Sequence, residues 1–457
     1  MPEFTFIHTA DLHLGAPFRG LDAAVSERFS GNILSEAPFA ALERLEALCL
    51  AENAAFLVVA GDMYDSGDGV LRARFALRDM FARLGNAGIR VFLAHGNHDP
   101  LDAAGNTNPV PWPPNVTVFG ETPGVFCVMR DDAPLALVYG ISHTEPREKN
   151  NLALRLASHE PSGPDTLSAP LPESLPPGLP RIAVLHCAVG GAGDGHAPYA
   201  PCVLGDLTGA AFAYWALGHV HQPKILADAP MVAYAGSMQG MHINETGPHG
   251  CFTVRVDGNG CCASLVPLAP VRWEKTTIAC DSEERVLETL DDIVDTVLDR
   301  LDAIASEKSE TAPAPDAVFC RVTLTGHTHL DRELRKPGAL ATLVERLRGE
   351  TAAQDGAFRT AQGGRTRVWL KDVVLQTSPA VDFTELAKRN DLMGEAVRIA
   401  DAACADAVHR RDLLGAALTD LYANRRVKKA VAHPDEEELR HLTASARSLL
   451  CSLLEED

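Results

Sequence analysis

The chain opens on an apolar run, Phe4–Thr9, and then changes period. Over 37–52, Phe39, Leu42, Leu45 and Leu48 recur three apart, which predicts an amphipathic helix. Residues 55–60 form a short continuous apolar run of strand length, 71–84 return to the helical period, and 89–94 read as another strand. This alternation is the pattern of an α/β layer architecture. From about Val116 the helical stretches thin out and short β-like runs follow at 135–141, 182–185, 212–217, 231–235 and 251–256. A two-layer β-sandwich flanked by helices accommodates both styles.

Residues 161–180 are rich in Pro, Ser and Gly, which predicts an exposed loop because repeated Pro removes the donors a ladder needs. Past about Pro270 the character changes. A strand at 276–280 precedes a long acidic helix over 282–304, with Val286, Leu290, Ile293, Val297 and Leu301 on one face. After a Pro/Ala linker at 311–315 come a strand at 318–324, a helix near 340–347 and a strand at 368–375. The expected plan is a core over 1–270, a small α/β domain over 271–380 and a helical segment over 381–457. That last segment reads as helices at 382–390, 392–421 and 435–454.

Length alone favours more than one domain, since 457 residues exceed what a single core holds. With 46% hydrophobic and 22% charged residues the chain is globular rather than disordered. Met1 to Glu3 lead straight into the first strand, and no apolar stretch approaches the roughly 20 residues needed to span a bilayer, so neither a signal peptide nor a membrane segment is expected. The eleven Cys are scattered without any CxxC, which suits reduced thiols in a cytoplasmic protein. A net charge of −20 argues against a generic DNA-coating protein. Any nucleic-acid substrate would need a local basic patch or a partner for capture.

Polar residues that end the apolar runs carry the chemistry. Asp11-Leu12-His13 follows the first run, where alternation along a strand would put both side chains on one side. Gly61-Asp62-Met63-Tyr64-Asp65 follows the second, with Asp62 set to bridge two cations. Gly96-Asn97-His98-Asp99 follows the third, His186 ends 182–185, and Gly218-His219-Val220-His221 follows 212–217. A donor set of carboxylate, amide oxygen and imidazole without thiolate suits a catalytic centre of Mn²⁺, Fe²⁺ or Zn²⁺ better than structural zinc. Two such ions about 3.5–4 Å apart clamp a phosphoryl group, so the pattern points to hydrolysis of a phosphate ester. Asp-x-His and Gly-Asp alone are weak, because polar residues and turns commonly end strands. Gly-Asn-His-Asp is more specific, since a turn has no use for its His, and Gly-His-x-His is moderately so; five pieces in order at strand ends carry the reading. A second Gly-His-x-His, Gly326-His327-Thr328-His329, lies beyond the domain change with no other ligand motif around it and reads as a decoy.

At these residues the chain resembles the calcineurin-like metallophosphoesterase superfamily, its SbcD-type DNA-repair exonucleases, and among them the YhaO-like branch. The resemblance extends through the opening 6–15 and the stretch 236–248, and Val322-Thr323-Leu324-Thr325-Gly326 is similar to the cap domain of YhaO-like proteins. It implies one metal on Asp11, His13, Asp62 and His221 and another on Asp62, Asn97, His186 and His219. It makes His98 the general acid that protonates the leaving 3′ oxygen, steadied by Asp65. The metals would be two divalent ions, Mn²⁺ first, with Fe²⁺, Zn²⁺ or Mg²⁺ as alternatives. The implied activity is 3′–5′ exonuclease, with single-strand endonuclease beside it, and the implied partners are DNA, an SbcC-like coiled-coil ABC ATPase docked on the C-terminal helices, and a second copy in a homodimer. Related sequences often carry Arg where this one has Met241, and an Arg there would contact phosphate. A small-molecule phosphodiesterase of the same fold, and a scaffold without catalysis, are the rival readings. Phe383, Leu386, Leu392, Val397 and Ile399 offer apolar positions either to a partner or to the cap, and Arg425-Arg426-Val427-Lys428-Lys429 either touches DNA or forms a solvated basic face.

Overall fold

A computed structural model describes residues 3–21, 33–65, 70–101, 110–159, 175–190, 199–282, 285–306, 314–353, 357–359, 365–380, 383–423 and 433–454. Most of the proline-rich stretch 161–180 and the whole basic cluster 425–429 lie outside those residues. The chain forms two units. The first comprises Met1–Glu274, Ala305–Cys320 and Ala357–Trp369. The second comprises Lys275–Ile304, Arg321–Gly356 and Leu370–Asp457.

Two six-stranded sheets build the first unit. Its strands in chain order are β1 (Phe4–Thr9), β2 (Phe56–Ala60), β3 (Arg90–Ala94), β4 (Val116–Val118), β5 (Gly124–Arg130) and β6 (Ala133–Gly140). They continue with β7 (Arg181–His186), β8 (Tyr214–Gly218), β9 (Lys224–Asp228), β10 (Met231–Tyr234), β11 (Gly250–Asp257) and β12 (Gly260–Pro267). One sheet runs β12-β11-β1-β2-β3-β4, with β1 to β4 parallel. The other runs β5-β6-β7-β8-β10-β9, with β6, β7, β8 and β10 parallel. Central parallel strands are covered on both faces, which is why β2 reads as an unbroken apolar run.

Between the sheets lies a buried layer that includes Phe6, Phe56, Phe92, Val138, Val184 and Tyr214. Phe6 stacks on Phe56 with centroids 4.9 Å apart and meets Tyr214 edge-on at 5.2 Å, so one aromatic contact spans the two sheets. Helices α1 (Ile33–Ala51) and α2 (Val70–Asn86) cover the outer face of the first sheet through residues such as Leu45 and Leu77. The short helices α3 (Leu152–Ala157) and α4 (Leu204–Thr208) cover the second through Leu152, Leu156 and Leu207. The expected two-layer sandwich flanked by helices is therefore present. In the hairpin β11–β12, closed around Asp257 to Gly260, β11 answers to the expected run 251–256, whereas β12 has no clear counterpart in the hydrophobic pattern because it is only partly buried.

A third sheet, ordered β13 (Val271–Ala279), β14 (Ala317–Thr328), β16 (Arg365–Pro379) and β15 (Ala357–Arg359), supplies residues to both units. In the second unit, α5 (Leu290–Ala305) begins later than the apolar spacing predicts. Thr289 and Asp292 explain the start: each backbone N–H donates to the other's side chain, at 2.9 and 3.0 Å, a reciprocal cap that fixes the first turn. Two further helices, α6 (Asp331–Leu334) and α7 (Ala339–Ala353), precede the helical tail. The tail contains α8 (Phe383–Ala387), α9 (Leu392–Ala405), α10 (Ala407–Ala423) and α11 (Glu436–Leu454). The single helix expected over 392–421 is broken at Asp406, whose backbone is extended and whose carboxylate accepts from His409 N at 3.1 Å to cap α10. Phe383, Leu386, Met393 and Val397 pack against one another, while Leu392 and Ile399 are exposed. No helix among the described residues is long and apolar enough to cross a membrane.

Candidate metal centre

The carboxyl ends of the parallel strands of both sheets meet at one edge, and the chemistry-bearing residues lie there. Asp11, Asp62 and Asn97 follow β1, β2 and β3, whereas His186 ends β7 and His219 and His221 follow β8. Outside the carboxyl ends of parallel strands is where α/β sheets open a crevice. Close approach of the two layers demands Gly at specific points. A Cβ on Gly218 would lie 1.9 Å from the Ala60 carbonyl oxygen, and one on Gly96 would lie 2.2 Å from Asp62 Oδ1.

Strand alternation does not orient the side chains. Asp11, His13, Asp62 and His219 all adopt positive φ, at 49°, 40°, 51° and 106°. These left-handed kinks are uncommon for residues with a Cβ and concentrate at functional sites. Ladder-like bonds hold them: Asp11 N donates to Gly61 O at 3.1 Å, His13 N to Asp62 O at 3.1 Å and Leu14 N to Met63 O at 3.0 Å. Asp99, buried, adds its carboxylate, accepting from Gly96 N at 2.8 Å, Met63 N at 3.1 Å and Asp62 N at 3.2 Å.

The result is a pair of adjoining donor clusters. Asp11, His13 and His221 place one ligand atom each within 4.8 Å of one another, and so do Asp11, Asp62 and His186. Asp62 Oδ2 lies 3.8 Å from His13 Nε2 and 3.4 Å from His186 Nε2, so it stands between the two. Asn97 Oδ1 joins the second cluster 3.1 Å from His186 Nε2. His219 is oriented differently from His221. Its ring packs beside His186 and Tyr199, with centroids 5.3 and 5.7 Å away, while its backbone N–H donates to the Asp11 carboxylate at 3.0 Å. A third group joins His13, Asp65 and His98. Asp65 Oδ1 accepts from both Nδ1 atoms, at 2.7 Å from His13 and 2.8 Å from His98.

Proton placement tests whether these residues fit a cation. The Nδ1–H of His13 is committed to Asp65, that of His221 to Glu245 Oε1 at 2.6 Å, and that of His186 to the Ala60 carbonyl at 2.9 Å. In the neutral tautomer each Nε2 is then a bare lone pair. Yet His13 Nε2 and His221 Nε2 face each other at 3.2 Å, and His186 Nε2 faces only the acceptors Asn97 Oδ1 and Asp62 Oδ2. Acceptors aimed at acceptors in a buried site need a cation or an extra proton between them. The donor set therefore fits divalent metals.

Electrostatics of the metal-free site agree. Burial opposes charge on His186 and His221, but Asp62 and, for His221, the hydrogen bond to Glu245 outweigh it and raise both to about 9. Burial likewise works against the Asp62 carboxylate, and the imidazoles of His186, His13 and His98 nevertheless hold it well below the carboxylate range. Glu245, buried but bonded to His221, is lowered to about 2. His98 is raised, chiefly by its hydrogen bond to Asp65.

Glu245 and His143 do not appear among the residues expected from the motifs, whereas Asp99 closes the Gly96–Asp99 motif and serves its turn rather than a metal. His143 donates from Nε2 to the His186 carbonyl at 2.7 Å and packs edge-on against that ring. Glu245 lies in the stretch 236–248 and also accepts from Met241 N at 2.5 Å, so it ties that loop to His221. An acidic residue in a glycine-containing loop after a strand was the available signal. The Met241 side chain is buried, and His242 Nε2 lies 3.3 Å from Glu245 Oε1.

Residues 4–223 match the Calcineurin-like phosphoesterase family, and residues 273–378 match the middle domain of the metallophosphoesterase YhaO. The chain belongs to the calcineurin-like metallophosphoesterase superfamily, in its YhaO-like branch. It is 32% identical to the uncharacterized metallophosphoesterase YhaO of Bacillus subtilis over 61% of this chain and 64% of that one, so the match spans less than two thirds of YhaO. It is 28% identical to the SbcD component of the nuclease SbcCD of Rhodobacter capsulatus over 57% of this chain and 68% of that one. It is 27% identical to the DNA double-strand break repair protein Mre11 of Aeropyrum pernix over 52% of this chain and 54% of that one. The family match over residues 4–223 and the donor clusters together give this unit the fold of the metallophosphoesterases and a candidate site for two divalent ions.

Proposed function

We propose that the chain is a DNA phosphodiesterase, a 3′–5′ exonuclease with single-strand endonuclease activity beside it, working in repair with DNA and an SbcC-like ATPase. The observation that carries the phosphodiesterase reading is the pairing of two donor clusters with a partly exposed imidazole, His98, held at their margin by Asp65. The names of the SbcD and Mre11 relatives support DNA as substrate. In this reading residues 1–270 are the nuclease domain, 271–380 a cap, and 381–457 the segment that docks the ATPase.

One cation takes Asp11, His13, Asp62 and His221; the other takes Asp62, Asn97, His186 and His219. Mn²⁺ is the first choice for an oxygen-and-imidazole set. When bound, two such ions neutralise the phosphoryl oxygens and supply a nucleophilic water at neutral pH. The residues do the rest. Asp65 and Glu245 fix the tautomers of His13 and His221, and the Ala60 carbonyl fixes that of His186. His98 donates from Nδ1 to Asp65, which leaves Nε2 to hand a proton to the leaving oxygen. The Asp65 hydrogen bond raises its pKa, which favours the protonated form that a general acid needs.

A small phosphodiester is the second reading, and the charge of −20 favours it. The test is hydrolysis by the full chain with Mn²⁺ of end-labelled double-stranded DNA beside bis-p-nitrophenyl phosphate, with Asp62→Asn as control. Loss of DNA in the parent and not in the variant supports the nuclease. Cleavage of the small ester alone, also in the presence of an SbcC-like ATPase, would overturn it in favour of the second reading.

A further inference from the structure

We propose that a cleft in the second unit is a binding site for a phosphate-bearing ligand, separate from the metal centre and independent of the nuclease reading. The cleft has a volume of about 980 Å³ and is walled by the end of β14, by α6 and the residues just after it, by the end of β16, and by α11. It contains the second Gly-His-x-His, residues 326–329, that the sequence leaves without a role. These imidazoles are not metal ligands. His327 bonds to Asp281 and His329 to the Glu288 carbonyl, and no cluster able to hold a metal forms around them among the described residues.

Its charge is the opposite of the chain's. Arg332, Arg335, Lys336 and Arg447 line the cleft against one acidic residue, Asp331, in a protein of net −20. Asp331 is buried and already committed, accepting from Arg335 Nε at 2.9 Å and Thr377 Oγ1 at 2.5 Å. Two other carboxylates, Glu333 and Asp401, pair with Lys336 and Arg447 but do not line the cleft. They anchor the cationic side chains and leave donors over. Arg335 uses Nε on Asp331 and Nη2 on the Thr377 carbonyl, with Nη1 unengaged among the described residues. Arg447 pairs with Asp401 through Nη1 and lies 4.0 Å over the Phe383 ring, yet its Nε is buried without a hydrogen-bond partner.

The neutral lining also has side chains free to bond a ligand. The side chains of Gln376, Ser378, His441 and Ser445 make no hydrogen bond among the described residues. Four cationic side chains against one committed carboxylate make the cleft suited to an acceptor-rich, anionic group. Guanidinium forks match the oxygens of a phosphate, and hydroxyl and amide groups complete its shell. A cavity of this size is larger than one phosphate and within the range of sites for whole small molecules. The cleft therefore has room for a phosphate together with part of the molecule that bears it, and a nucleotide and a nucleic-acid strand are the bearers to test.

The experiment is a binding measurement on the full chain with EDTA throughout, which removes the metal centre from the readout. Fluorescence anisotropy follows a fluorescein-labelled single-stranded oligonucleotide, while dAMP and pyrophosphate are titrated by calorimetry. Binding of at least one is expected. It should weaken about tenfold in Arg332→Ala/Lys336→Ala, the loss of roughly one charge-assisted hydrogen bond. Ser445→Glu, which removes no side-chain hydrogen bond among the described residues and adds a carboxylate to the opposite wall, should weaken it as well. Both variants should melt with the parent, and if the double variant does not, Ser445→Glu decides alone. Binding of the oligonucleotide without dAMP or pyrophosphate assigns the site to a strand, and the converse to a soluble nucleotide. No binding by any of the three, or binding unchanged in the folded variants, overturns the proposal.

Discussion

His13 Nε2 and His221 Nε2 face each other at 3.2 Å, each with its other nitrogen committed to a carboxylate, Asp65 for one and Glu245 for the other. Two imidazole lone pairs this close repel unless something positive lies between them. In the metal-free protein a proton can fill that role: against the cost of burial, the Glu245 hydrogen bond and the Asp11 charge raise His221 to about 9, and Asp62 raises His186 likewise.

Metal binding should therefore compete with protons. A cation needs neutral Nε2 atoms, so His186 and His221, both raised to about 9, release their protons on loading. Apparent Mn²⁺ affinity should rise steadily between pH 6.5 and 8.5 and level off above about 9. Calorimetry in buffers of different ionisation enthalpy would count the protons; an affinity flat with pH would contradict the assignment. The same shifts act on the apo fold. Groups raised from 6.5 stabilise it fully below pH 6.5 and lose that contribution as pH climbs through 9, whereas Glu245, lowered from 4.5 to about 2, stabilises it above pH 4.5 and loses that as pH falls. Metal-free protein should thus melt lower at pH 9.5 than at 6, and excess Mn²⁺ should erase the difference.

Glu245 should matter to the metal without touching it. Its carboxylate fixes the His221 tautomer and draws Met241 N into the same loop. Loss of such an orienting partner typically costs about 10–100-fold in metal affinity. Glu245→Ala should show that loss by calorimetry with an unchanged circular-dichroism spectrum, and unaltered affinity would mean that the loop alone positions His221.

The motifs at strand ends made much of this legible from the sequence, because apolar runs such as 56–60 and 90–94 mark buried parallel strands and the polar residue after each lies at the same edge. What the sequence did not carry was the orientation. Strand alternation suggests that Asp11 and His13 project together from a strand, but they lie beyond β1 and owe their directions to positive φ values. His219 and His221 share a motif and diverge, one toward His186 and the other toward His13. Glu245 escaped because its role depends on a contact 24 residues back along the chain, which periodicity cannot encode. The break at Asp406 escaped because a side-chain cap outweighs a continuous apolar spacing.

Removing His98 should separate substrates by their leaving groups. Proton donation matters for an alkoxide departing from DNA and little for p-nitrophenolate, which leaves as a stable anion. His98→Ala should therefore slow DNA hydrolysis by about 10²–10⁴-fold, leave bis-p-nitrophenyl phosphate hydrolysis nearly intact, and keep the metal content of the parent. Asp65→Asn should move the basic limb of the DNA rate to lower pH, because the hydrogen bond that raises His98 is weakened and the acid form is lost sooner. Equal losses on both substrates would instead make His98 a metal-site residue.

Gly218 offers a test of how tightly the two sheets meet. A methyl group there would lie 1.9 Å from the Ala60 carbonyl oxygen and 2.8 Å from His186 Nδ1, and neither neighbour is free to retreat. Ala60 ends a central strand and its carbonyl already accepts from His186 at 2.9 Å. Gly218→Ala should cost about 1–3 kcal/mol as forced overpacking and lower the melting temperature. The displaced Ala60 carbonyl should also release the His186 ring, so metal affinity should fall together with stability. A variant that melts lower but binds Mn²⁺ as the parent does would show that the ring is held by the donor cluster itself rather than by the strand behind it.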